Sequence, residues 1–174
     1  IRCHGIVATK NASFQFPEIT LGILPGIGGC IVPYRKWPQG AKLFHEMICL
    51  AKSINAKEAL EIGMVTKVVD SYPEMIQEAV KEVINLKGKI KGVPDGKVAI
   101  PEMVIPEPPM AGKQLLSREA VAITVKTIKE GAAAETFAQA LERGYQGNAE
   151  IACTDAAKEG ITAFSEKRRP EFKK

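Results

Sequence analysis

Aromatic residues make up only 6% of this 174-residue chain, and no basic run is interleaved with them. A base-stacking surface needs both, so their absence argues against a nucleic-acid partner. Cysteine is sparse as well. Cys3, Cys30, Cys49 and Cys153 stand far apart, form no CxxC, and have only His4 and His45 as possible imidazole partners. The pattern excludes a disulfide framework and a zinc site, and reads as reduced, mostly buried cysteines of a cytoplasmic protein. No apolar run is long enough to span a membrane, and no charged start precedes a short apolar region as in a signal peptide. The expectation is a soluble protein with no metal and no membrane partner.

What is present fits one domain with a real core, or a domain plus an appendage: 45% of residues are hydrophobic and 25% charged. The net charge of +4 comes largely from Lys167, Arg168, Arg169, Lys173 and Lys174, offset locally by Glu166 and Glu171. A basic end suits a phosphate-bearing ligand, although a solvated tail is the commoner origin of such a run. The chain opens on Ile1, without methionine and already in a β-like run, which raises the expectation of a fragment of something longer.

The pattern predicts a strand over Ile1 to Lys10, a turn at Asn11-Ala12-Ser13 and a brief second strand at Phe14-Gln15-Phe16. A short helix is expected from Gly28 to Tyr34 and a firmer one from Gln39 to Cys49. Asn55 with Glu58 has capping-box spacing, so a helix should start at Ala56 and stop at Gly63, followed by a strand over Met64 to Val69. Ser71 with Glu74 repeats the spacing, and Met75, Ile76, Ala79, Val80, Val83 and Ile84 share one helical stripe. From Lys87 to Gly112 glycine, proline and lysine dominate, predicting an extended excursion across a surface. Three further helices follow: one carrying Ala120, Val121, Thr124, Val125 and Ile128 and punctuated by Gly131, one over Ala133 to Tyr145, and one over Asp155 to Lys167 with Thr154 as N-cap. The chain thus begins as α/β and ends helical, with too few strands to close a sheet. It divides into residues 1–86, the excursion 87–112, and a helical region 113–174.

The most informative stretch is Phe16-Pro17-Glu18-Ile19-Thr20-Leu21-Gly22-Ile23-Leu24-Pro25-Gly26-Ile27-Gly28-Gly29. One carboxylate stands among apolar neighbours directly before a glycine-rich turn, a setting in which it can give or take a proton. The glycines satisfy neither nucleotide cradle. The dinucleotide turn lacks its third glycine, and the phosphate loop lacks its Gly-Lys-Ser/Thr ending. On spacing alone, Pro25-Gly26 makes a turn and Gly28-Gly29 allow close helix packing, while Glu18 could simply cap orphan amides.

The string from Pro17 to Gly29 closely resembles the signature of the crotonase superfamily, the enoyl-CoA hydratases and isomerases. The segments Ala41 to Cys49, Ile54-Asn55-Ala56-Lys57-Glu58-Ala59, Gly63-Met64-Val65 and Val68-Val69 are similar to those that follow it there. Ala157 to Arg168 resembles the family's C-terminal helix. The proline-rich excursion, with Met110-Ala111-Gly112-Lys113 and Ala140-Leu141-Glu142-Arg143-Gly144-Tyr145, looks most like the hydratase module of fused 3-hydroxyacyl-CoA dehydrogenase/enoyl-CoA hydratase proteins. Cys30-Ile31-Val32-Pro33 departs from the family's usual Thr-Gln-Arg-Leu, and Ala51-Lys52 replaces a usual turn glycine. Both departures bear on acyl-chain preference more than on fold.

The resemblance implies the C-terminal half of a crotonase-like ββα spiral, α/β and helix-rich, that acts on acyl-CoA in fatty-acid β-oxidation. Glu18 matches the glutamate that protonates the α-carbon, desolvated here by Phe16, Ile19, Leu21 and Leu24. Gly26 matches a glycine whose amide helps hold the reacting water. Leu21 and Leu24 are expected to contact the substrate, and Lys167 and Phe164 match residues on the phosphate and adenine side of the CoA pocket. Both also have ordinary alternatives, a solvated lysine and a phenylalanine packed into the core. The second glutamate and both oxyanion amides lie, in the family, upstream of the position matched by Ile1. No cofactor is implied beyond the CoA thioester substrate, with NAD relevant only to a fused dehydrogenase module. The family resemblance also implies a homo-oligomer, a trimer or hexamer. An isomerase, or a non-catalytic assembly fragment, fits the same residues. His45 has no triad partners and reads as a surface or core histidine, and Trp37 as a packing anchor.

Overall fold

The computed structural model describes residues 1 and 3–172. Arg2, within the first expected strand, and Lys173 and Lys174, in the basic end, lie outside the described residues. The architecture is helix-rich α/β with three two-stranded sheets among the described residues. Strand β1 (Val7–Thr9) pairs in parallel with β4 (Lys67–Val69), Ala8 facing Val68. β2 (Ser13–Phe14) pairs antiparallel with β3 (Ile54–Asn55). A small hairpin joins β5 (Met110–Ala111) to β6 (Gln114–Leu115). The first strand is therefore much shorter than expected. The hairpin had no sequence signal beyond Gly112, which takes the left-handed φ of +59° at its turn.

Helix starts follow their caps. α3 (Ala56–Glu61) carries a complete capping box, Asn55 accepting from the Glu58 amide while Glu58 accepts from the Asn55 amide. Ser71 caps α4 (Tyr72–Leu86), but Glu74 reaches back to the Asp70 amide and not to that of Ser71. Thr154 caps α7 (Asp155–Ser165) through the Ala157 amide. α5 (Arg118–Ala133) starts at Ser117, and α6 (Phe137–Ala152) at a second capping box, Thr136 with Gln139. α5 runs straight through Gly131, contrary to expectation. A Cβ there would collide with the Ile31 side chain, so the glycine serves close packing and does not end the helix. α6 ends well beyond Tyr145, at Ala152.

The core joins both ends of the chain. Ile19 and Leu24 pack in one buried cluster with Tyr34 and with Phe44, Met47 and Ile48 of α2 (Ala41–Leu50), with Leu116, with Ile128 of α5 and with Ile151 of α6. Trp37 belongs to this cluster, stacked near Phe44 with the Lys36 ammonium 4.5 Å from its ring centre. The excursion has no helix, as the prolines require, yet Val98, Ile100, Met103 and Ile105 pack against the core. Arg35 holds it there. Of the cysteines, Cys30 and Cys49 are buried and Cys3 and Cys153 exposed, so "mostly buried" holds for two of the four.

His45 turns out to be a core residue, 5% exposed. The Pro101 carbonyl can only accept, so Nε2–H donates to it at 3.2 Å, and Nδ1 accepts the Tyr34 hydroxyl at 2.9 Å. Burial lowers the pKa of His45, with the Pro101 hydrogen bond opposing. A lowered folded-state pKa means that the unfolded chain takes up the proton first. The stability that neutral His45 contributes is thus full above pH ~6.5 and drains away as pH falls toward the depressed value. We expect the urea midpoint to drop between pH 7 and pH 5, with a shallower slope in His45→Gln. An equal slope in the two proteins contradicts this assignment.

Candidate functional site

Glu18 is the first residue of a 3-10 turn, Glu18–Leu21, entered through Pro17 and closed by Gly22 at φ +66°. Ile19 is completely buried and plugs the turn into the core, leaving Glu18 half-buried beside it. Oε2 of Glu18 is shielded from solvent and has no hydrogen-bond partner among the described residues. A buried carboxylate oxygen without a partner is costly, and such groups collect where chemistry is done.

Two distant elements, α7 and the β5–β6 hairpin, grip this turn. A Cβ added to Gly160 of α7 would sit 2.8 Å from Leu21 Cα and closer still to the Leu21 carbonyl, so helix and turn touch backbone to backbone. A Cβ on Gly22 would lie 2.7 Å from the Ala156 carbonyl oxygen, also on α7. From the β5–β6 hairpin, Gln114 Nε2 donates to the Thr20 carbonyl at 2.7 Å. These supports escaped the sequence reading. Their one signal was Gly160, a glycine inside a helical pattern where no turn calls for it.

The glycine-rich segment forms tight turns from Gly26 to Ile31, and α1 (Val32–Lys36) begins only after them, later than the expected Gly28. Ile27 (φ +52°) and Gly28 (φ +83°) are both left-handed, which no helix tolerates. The Gly26 carbonyl accepts the Gly29 amide at 2.9 Å, and the Gly28 carbonyl accepts those of Ile31 and Val32. Gly29 lies tight against Pro25 of its own turn, while Gly26 lies against a different helix. A Cβ on Gly26 would be 3.0 Å from Asn148 Nδ2 of α6, a neighbour the sequence did not suggest.

The remaining expected site residues are distributed unevenly. Leu21 is half-buried, its carbonyl against Gly160, and Leu24 is fully in the core. Phe164 is 70% exposed near the end of α7, so the core-packing alternative for it is wrong. Lys167 is exposed too, in the left-handed conformation at φ +55°. Its amide and that of Arg168 close the helix end on the Phe164 and Ala163 carbonyls. No described hydrogen bond or ion pair links either side chain to Glu18. A hollow of about 830 Å³ lies beside α7, lined by Ser117, Arg118, Lys158, Glu159 and Arg168 among others, and does not include Glu18. The deeper electrostatics concern Cys30, whose thiol is pushed well up by burial, with Cys49 and the Glu18 carboxylate adding to the effect. No group of three or more possible metal ligands occurs among the described residues.

Residues 1–95, more than half of the chain, match the Enoyl-CoA hydratase/isomerase family. The 2,3-dehydroadipyl-CoA hydratase of Escherichia coli (strain K12) is 32% identical over 171 residues, covering 98% of this chain and 55% of that protein. The Peroxisomal bifunctional enzyme of Cavia porcellus is 42% identical over 79 residues, 45% of this chain and 10% of that protein. In fold, carnitinyl-CoA hydratase from Mycobacterium avium superimposes with a TM-score of 0.62 at 22% identity, covering 98% of this chain and 54% of its own. The chain spans about half the length of the curated relatives that match it nearly end to end. The family match spans more than half of the chain and includes the 3-10 turn with Glu18 and the glycine-rich bend after it: the chain belongs to the enoyl-CoA hydratase/isomerase family.

Proposed function

We propose that this chain supplies the proton-donating side of an enoyl-CoA hydratase site that adds water to trans-2-enoyl-CoA in fatty-acid β-oxidation. The observation that carries this reading is Glu18, with its shielded, partnerless oxygen on a turn clamped by α7. In hydration, water oxygen bonds to the β-carbon and gives a proton to a base, while an acid protonates the α-carbon and backbone amides hold the charge on the thioester oxygen. Glu18 is the acid in this scheme and Gly26 borders the water. Leu21 faces the acyl chain, with Leu24 packed behind it, and Phe164 and Lys167 are solvent-facing candidates for CoA contact. The base and the oxyanion amides come from a segment outside these residues, consistent with a chain half as long as its relatives.

Losing an oxyanion donor alone costs roughly 100- to 1000-fold in rate. We therefore expect the 174-residue chain to bind crotonyl-CoA but to hydrate it negligibly, read from the enoyl absorbance. Turnover by the chain alone overturns the divided site, and absence of thioester binding overturns the hydratase reading itself.

A dehydrogenase-fused setting, where NAD would belong to the other module, is part of this reading; 79 residues of the chain are 42% identical to a protein named as bifunctional. Four free cysteines suit a reducing compartment such as the cytoplasm. An assembly role has its own observation: Tyr72, Ile76, Val80, Val83 and Ile84 form an apolar stripe on α4 that faces solvent. Light scattering separates the readings, since a trimer or hexamer that ignores CoA favours assembly alone.

A further inference from the structure

Asn148 projects from α6 onto the glycine-rich turn. Its Nδ2 would lie 3.0 Å from a Cβ on Gly26, so the carboxamide fills the space that a side chain at position 26 would take. Asn148 is half-buried, and its side chain makes no hydrogen bond among the described residues. Neighbouring positions of the same helix do conventional work: Ala140, Gly147 and Ile151 are buried, and Glu150 pairs with Lys126. A partly desolvated carboxamide with both its donor and its acceptor unused is an uneconomical packing residue. Beside a reacting water it has a use, because its oxygen can accept one water proton while its N–H₂ donates to the water oxygen.

We propose that Asn148 is a water-holding residue of the site, contacting the oxygen that becomes the 3-hydroxyl of the hydrated thioester. This rests on the hydratase reading, in which Gly26 borders the same water. Two groups from different elements then fix that oxygen, the turn through Gly26 and α6 through Asn148. The glycine at position 26 leaves room for both, since a Cβ there would press on the carboxamide at 3.0 Å.

The test compares binding of 3-hydroxybutyryl-CoA and butyryl-CoA, which differ by the one hydroxyl, by calorimetric titration of the full chain and of Asn148→Leu. A net hydrogen bond predicts that the wild-type chain prefers the hydroxylated thioester about tenfold. N148L should lose that preference while binding butyryl-CoA as before. Asn148→Asp, which keeps the shape but loses the N–H₂ donor, should also weaken the preference. An unchanged preference in N148L, no preference in the wild type, or loss of both ligands in N148L overturns the assignment and leaves the thioester site standing. Failure of the wild-type chain to bind either thioester instead overturns the hydratase reading on which the assignment rests.

Discussion

Replacing Gly160 by alanine should destabilise the protein by roughly 3 kcal/mol and move Glu18. Alanine in a helix interior normally gains about 1 kcal/mol over glycine. Here the added Cβ meets the carbonyl and Cα of Leu21, backbone atoms that cannot swing aside like the tip of a side chain. Overpacking of this kind costs about 1–3 kcal/mol or more, so the clash outweighs the propensity gain. Relief requires α7 to lift from the 3-10 turn, which would also loosen the Ala156 contact at Gly22. Gly92 is the control: a Cβ there meets nothing within 4 Å, and Gly92→Ala should stay within about 0.5 kcal/mol of the parent. Urea denaturation of the two variants decides it. A Gly160→Ala protein as stable as Gly92→Ala would show that turn and helix do not depend on each other.

Arg35 carries the second large effect. The side chain is 4% exposed, and its fork donates Nη1 to the Pro94 and Gly96 carbonyls and Nη2 to those of Gly131 and Ala134, at 2.7 to 3.1 Å. One planar group thus ties the excursion to the C-terminal end of α5, where carbonyls otherwise lack partners. Burial lowers the guanidinium pKa with Asp95 opposing, but arginine stays charged in proteins and the carbonyls supply the compensation. Nε is buried without a partner among the described residues, so the site already runs at a cost. Arg35→Met removes four charge-assisted bonds and strands the more buried carbonyls, a loss of about 4 kcal/mol once water reaches the outer ones. Arg35→Lys should recover only part, because three donors on one nitrogen cannot span carbonyls on two elements. Limited trypsin digestion reads the local effect, with faster cleavage at Lys91 and Lys97 expected in Arg35→Met. Unaltered stability and cleavage would assign the excursion's anchorage to its apolar contacts alone.

The caps were the most legible part of the sequence. Asn55, Ser71 and Thr154 start helices where their spacing places them, because a cap is a local interaction between a short polar side chain and an amide three residues on. The prolines of the excursion were equally reliable, since forbidding a helix needs no partner. What stayed hidden depended on partners far along the chain. Periodicity placed Ile76, Val80 and Val83 on a common stripe, but it cannot say which face of the helix meets the strands. β1 and β4 lie on the other side, near Glu78 and Glu82. Gly131 looked like a stop because the Ile31 side chain that needs its missing Cβ is remote in sequence. For the candidate site, the motif singles out Glu18 and Gly26 as expectations. It could not supply Gly160, Gln114 or Asn148, whose relevance arises only when three separate elements meet the turn.

Tyr34 and Arg35 sit side by side on α1, immediately after the glycine turn, and together pin the excursion through His45 and the fork of carbonyls. The Arg35 partners lie as far as 99 positions along the chain. Loops of that length must close before their contacts return any stability, so elements that depend on them order late in folding. The segment from Glu18 to Lys36 is therefore fixed near the end of assembly. On a chain still emerging from the ribosome, the acid is already synthesised but has no settled direction to point.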